Sequence, residues 1–226
     1  MDRPPVTTTT TRVATRPEIS AAAQKVLKNT YLLLAATLLW SAICARVSMV
    51  LNLPYPGLLI VFAGFYGVLF AINRLRNSAW SVGLVFVLTG FMGYTLGPIL
   101  NHYVRAIPDG GAVITSALTI TGVTFLGLSA YVWVTRQSFR FMQSFLFVGV
   151  LAAFGLGLVA YFFNLTGLSL AVSAIFVFLS SGLILWQTGE IVNDGETNYV
   201  LATVTLYVQI LNLFMSLLSL LGGSRR

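Results

Sequence analysis

The stretch that decides the fold runs from Trp186 to Gly223, WQTGEIVNDGETNYVLATVTLYVQILNLFMSLLSLLGG. It joins the end of one apolar run to the whole of the next through a short loop. Glu190, Asp194 and Glu196 fall here, half of the six acids in the chain. In the last run Thr205, Gln209, Asn212, Ser216 and Ser219 recur every three or four residues, so on a helix they form one stripe that faces a partner rather than lipid. The preceding run offers Ser173, Ser180 and Gln187 at heptad spacing. The pattern predicts two adjacent helices packed along a seam of small and amide side chains.

Outward from this stretch the composition is equally one-sided. With 57% hydrophobic and 8% charged residues, the 226-residue chain lacks the polar surface a soluble globule needs. The apolar residues come in long unbroken runs rather than short alternating segments, which excludes a β-barrel and predicts an all-α integral membrane protein. Its net charge of +7 comes from basic residues scattered singly or in pairs between those runs, a topology signal rather than a nucleic-acid footprint. The lone Cys44 lies inside the first run and excludes an intramolecular disulfide or a cysteine metal cluster, and no cofactor is expected.

Residues 1–24 hold Pro4, Pro5, Pro17 and the run Thr7 to Thr11, and are expected to form a disordered cytoplasmic tail. No cleavable signal peptide is expected, because the first apolar run begins only near Tyr31. A helix should start near Ser20 or Ala21. The transmembrane domain then occupies 25–226, with seven spans expected at 30–52, 56–73, 79–101, 111–134, 141–163, 167–188 and 199–221. Short loops predict that helices adjacent in sequence pack as antiparallel neighbours. Nine of the thirteen Lys and Arg fall on the side of the N-terminus under this arrangement, among them Lys25, Lys28, Arg74, Arg76, Arg136 and Arg140, which places that side in the cytoplasm and the C-terminus in the periplasm. Gly90, Gly93 and Gly97 in the third run read as close-packing positions, a simpler account than a helix break at Gly97-Pro98.

Three stretches in this order, TGFMGYTLGPIL (89–100), NDGETNYVLATVTLYV (193–208) and ILNLFMSLLSLLG (210–222), resemble the Bax inhibitor family of seven-helix membrane proteins. The likeness extends from about Lys25 to the C-terminus. The GETNY loop, ATVTLYV and the opening KVLKNTYLLLA (25–35) are most similar to the family's bacterial YccA branch. That resemblance implies a protein of the bacterial inner membrane associated with the membrane-anchored AAA protease FtsH, as its modulator and poor substrate.

Other family members are calcium-leak proteins in which two aspartates, on the sixth and seventh helices, pair and sense pH. At the matching positions this chain has Gln187 and Gln209, with Asn212 a turn further on. Amides can hydrogen-bond across two helices but do not exchange protons near neutral pH. Glu190 is expected to be a solvated acid of the cytoplasmic loop. The favoured function is therefore a non-enzymatic modulator, with a calcium or other cation leak channel as the alternative. No Ser–His pair, His-Glu-x-x-His arrangement or paired aspartates supports an intramembrane enzyme.

Overall fold

The computed structural model describes residues 19–193 and 195–223. Among these the chain folds into seven α-helices: α1 (Ala21–Val50), α2 (Leu58–Arg74), α3 (Trp80–Ala106), α4 (Gly110–Thr135), α5 (Gln143–Phe162), α6 (Thr166–Val192) and α7 (Tyr199–Gly223). A 3-10 turn, Arg140–Met142, leads into α5. Six of the helical segments are long and apolar enough to cross a membrane. The exception is α2, at 17 residues, where the sequence predicts a span over 56–73. The bundle is apolar on its outside as well as its inside. Leu59, Phe70, Trp80 and Phe141 are each more than 70% exposed, which only a lipid environment accommodates.

The first helix begins where the sequence places it. Ser20 Oγ accepts from Ala23 N at 3.0 Å and caps α1, so residues 21–24 belong to the helix rather than to the tail. Residues 1–18, the rest of that expected tail, lie outside the described residues. The last helix runs unbroken for 25 residues, so it is a continuous rod and not a re-entrant loop.

α7 is the centre of the bundle. It packs against α6, α4, α1 and α3, and it is buried on most sides, with Ala202, Thr203, Leu206, Leu213 and Leu218 wholly covered. α3 is the second scaffold, sandwiched between α1 and α2. Neighbours in sequence do pack together at α2–α3, α3–α4, α5–α6 and α6–α7, but the rule fails for the other two pairs. α1 packs most extensively on α3, not α2, and α4 packs on α7 and α6, not α5. The cause lies in the small residues on the α1–α3 seam. A Cβ on Gly90 would sit 2.7 Å from Trp40 Nε1, and on Gly93 or Gly97 it would collide with the Ser41 carbonyl or the Ser48 side chain. Gly90, Gly93 and Gly97 thus let two backbones touch, a contact deeper than any α2 makes.

The seam also explains why Pro98 does not break α3. Proline has no N–H, which leaves the Tyr94 carbonyl without its usual partner one turn back. Ser48 Oγ, reaching across from α1, donates to that carbonyl at 2.9 Å, and α3 continues to Ala106. Asn101 Nδ2 returns the favour by donating to Met49 O at the end of α1, at 2.9 Å. The helix break considered for Gly97-Pro98 is therefore absent.

Gly93→Val should destabilise the bundle by about 1–3 kcal/mol or more, because its side chain meets backbone that cannot step aside. Gly67→Ala, on α2 with open space where the methyl would go, should change stability by less than about 1 kcal/mol. Thermal unfolding of the detergent-solubilised proteins measures both, and equal effects would refute the close-packing role of Gly93.

Candidate functional site

The helix seam at the centre of the bundle is built on Tyr207 of α7, which is 1% exposed. Its hydroxyl lies 2.7 Å from Ser41 Oγ of α1 and donates to Thr89 O of α3 at 3.3 Å. A turn earlier, Thr203 Oγ1 bonds to Tyr199 O in its own helix at 2.7 Å and is 3.3 Å from Thr30 O of α1. These bonds fix α7 against α1 and α3 at two depths. The sequence reading passed over both residues, since a tyrosine and a threonine off the polar stripe look like ordinary members of an apolar run.

The stripe itself divides. At its far end Ser173 Oγ of α6 donates to Ser219 Oγ of α7 at 3.1 Å, the seam that the spacing predicts. At its other end the amides part company. Gln187 is buried, 3% exposed, and its Nε2 has no hydrogen-bond partner, so it does not donate to Gln209. Ser180 Oγ on the same helix is likewise buried without a partner. Gln209 and Asn212 face elsewhere, into a cleft of about 440 Å³ between α2 and α5, where Phe62, Phe65 and Phe154 surround them. The structure does not join the two family dyad positions through the Gln187 amide donor.

The acidic loop is more structured than its composition suggests. Glu190 is not a solvated loop acid; it sits in the last turn of α6, and its Oε1 accepts from Arg140 Nε at 2.7 Å. The Glu190 side chain is only 15% exposed. Its backbone carbonyl accepts from Gly195 N and Glu196 N at 2.8 and 3.1 Å, folding the loop back on the helix end. A Cβ on Gly195 would meet the ends of the paired Glu190 and Arg140 side chains, so the loop passes close against the ion pair. Glu196 Oε1 accepts from Asn198 N at 2.7 Å. Asn198 Oδ1 in turn caps α7 by accepting from Val200 N and Leu201 N, while its Nδ2 donates to Arg76 O in the α2–α3 connection. Asp194 lies outside the described residues. The loop thus stitches the ends of α6 and α7 to the connection after α2 and to the turn before α5.

A bundle of long apolar helices with an apolar exterior and a hydrogen-bonded central helix defines an all-helical, multi-pass membrane protein. The chain belongs to the Bax inhibitor family: residues 23–226 match the family model described as inhibitor of apoptosis-promoting Bax1. Among its relatives, an uncharacterized protein of Pseudomonas aeruginosa is 51% identical over 93% of this chain and 92% of its own length. The Escherichia coli K12 protein named modulator of FtsH protease YccA is 47% identical over 89% of this chain and 91% of its own. An uncharacterized membrane protein of Vibrio cholerae is 44% identical over 88% and 89%.

Tyr207→Phe should cost about 1 kcal/mol of stability, the ordinary worth of a buried hydrogen bond, and Ser41→Ala a similar amount. Because the two hydroxyls share one bond, the double variant should lose measurably less than both single losses added together. Strict additivity in a double-mutant cycle would show that the hydroxyls do not interact.

Proposed function

We propose that this chain is a non-enzymatic, inner-membrane modulator of the membrane-anchored AAA protease FtsH, acting as its slow substrate and inhibitor. The observation that carries this reading is the 47% identity, over 89% of the chain, to the Escherichia coli protein named modulator of FtsH protease. All seven helices cross the bilayer in this reading, with the N-terminus in the cytoplasm and the C-terminus in the periplasm, as the distribution of Lys and Arg favours.

Two physical features support it. An ATP-driven protease starts on an unfolded end, and the proline- and threonine-rich N-terminal segment has the composition of one. Pulling on that end loads α1 first. α1 is held to α3 by the glycine seam and the Ser48 bond, and to α7 by Tyr207 and Thr203, so extraction meets its firmest contacts at once. A substrate that is gripped easily and released into the protease slowly occupies the enzyme, and occupation is inhibition.

Deleting residues 2–18 should lengthen the lifetime of the protein in cells with active FtsH while leaving insertion intact, since α1 and its cap at Ser20 remain. A pulse-chase measurement decides it, and unchanged turnover would defeat the proposal.

A cation-leak function draws on one observation, the cleft beside α2 with Gln209 and Asn212 in its wall. Neither amide titrates between about pH 6 and 8. Any calcium flux through reconstituted protein should therefore be small and constant over that range. Replacing Gln187 and Gln209 together by Asp should introduce a pH dependence, because desolvation at the buried Gln187 position raises the pKa of a carboxylate placed there. A strong pH-gated leak in the unaltered protein would favour the channel instead.

A further inference from the structure

A second cleft, of about 290 Å³, lies between α1 and α4 and is floored by α7. Its mouth is formed by the exposed residues Ala42 and Arg46 of α1 and Leu118 of α4, and Ile210 and Phe214 lie at its base. That volume is about twice the apolar cavity that holds a benzene molecule. Every uncharged hydroxyl in the lining is already satisfied. Ser41 and Tyr207 are bonded to each other, and Thr121 Oγ1 donates to Ala117 O at 2.7 Å. The base of the cleft therefore makes no polar demand on what fills it.

Its one charged residue is Arg46. The only ion pair among the described residues joins Arg140 to Glu190, so none of their carboxylates neutralises Arg46. Four residues separate it from the end of α1 at Val50, about 6 Å of helix, and a guanidinium on its long stem spans that distance to the headgroup level. The surrounding face is apolar and exposed, with Leu39 68% and Ile43 56% open, so in a membrane it is covered by acyl chains. An apolar slot opening onto lipid, with one unpaired cation at the level of the phosphates, selects one kind of occupant.

We propose that the α1–α4 cleft is a binding site for a single anionic phospholipid, one acyl chain lying against Ile210 and Phe214 and the phosphate held by Arg46. The guanidinium suits a phosphate, which it can engage through two parallel N–H groups. A zwitterionic lipid can enter the same slot, but its own cation competes for the phosphate that Arg46 needs. Occupancy closes the opening between two helices that meet through the rings of Tyr31, Phe125 and Trp133 nearer the start of α1.

The test uses the full chain, reconstituted in vesicles of equal parts phosphatidylglycerol and phosphatidylcholine, extracted in mild detergent and weighed by native mass spectrometry. The unaltered protein should retain one phosphatidylglycerol, at least tenfold over phosphatidylcholine. Arg46→Gln should remove that preference, Arg46→Lys should keep most of it, and Ala42→Phe, which fills the mouth from an exposed position, should lower retention of both lipids tenfold. Melting temperatures within a few degrees of the parent establish that the variants are folded. Equal retention of the two lipids by the unaltered protein would overturn the proposal without any variant. So would unchanged phosphatidylglycerol retention in Arg46→Gln or Ala42→Phe, or a retained free fatty acid in place of the phospholipid.

Discussion

Two helices inside a bilayer gain nothing by hiding apolar side chains from each other, because lipid tails are as apolar as leucine. What holds them is closeness and the hydrogen bonds that closeness permits. In this protein both are concentrated where α1 meets α3. Gly90, Gly93 and Gly97 remove the side chains that would keep the backbones apart, and Ser48 and Trp40 then reach carbonyls on the neighbouring helix. Once α1 and α3 are fixed together, Ser41 and the Thr89 carbonyl converge on a single point. Tyr207 occupies it and locates α7. α4 and α6 then pack on α7, α5 on α6 and α2 on α3, so the contact between α1 and α3 sets the geometry of the bundle.

This order accounts for the connectivity. The segment between α1 and α2 carries the chain around α3 rather than straight back, with Asn52 in a left-handed conformation just past the end of α1. Tyr94 Oη of α3 donates to Pro54 O at 2.9 Å and pins that segment in place. α2 therefore sits on the far side of α3. At the opposite end of the bundle the loop after α6 does comparable work, with the Arg140–Glu190 pair and the Asn198 cap tying four chain segments together.

The helices and the importance of the last one were legible in the sequence because length and hydropathy alone report them. The glycine seam was legible too, since three small residues on one face have few other uses in a membrane helix. Lateral arrangement was not. In a soluble protein the apolar stripe points inward, but here both lipid and partner helices accept apolar side chains, so the period that marks a helix does not say which face is buried. The polar stripe on α7 was read as one seam with α6, whereas Ser219 meets α6 and Gln209 faces the α2–α5 cleft. Glu190 was read as solvated because acids near a loop usually are, and only the turn before α5 reveals its partner. The Tyr207 hub left no mark on periodicity at all.

The helices are also unequal in a way that the membrane must absorb. α2 has 17 residues and rises about 26 Å, while α1 has 30 and rises about 45 Å. No single flat slab of hydrocarbon about 30 Å thick matches both. A long helix relieves its excess by tilting or by projecting into the interfacial layer, but a short one on the rim, packed on α3 and open to lipid elsewhere, draws the leaflets towards each other. In the seven-span reading the protein therefore carries its own asymmetric dent in the bilayer, shallow on the α1 side and pinched beside α2. Thickness mismatch of this kind costs energy for every ångström, so it gives the α2 flank a preference for thinner membrane or for a neighbour whose own span is equally short.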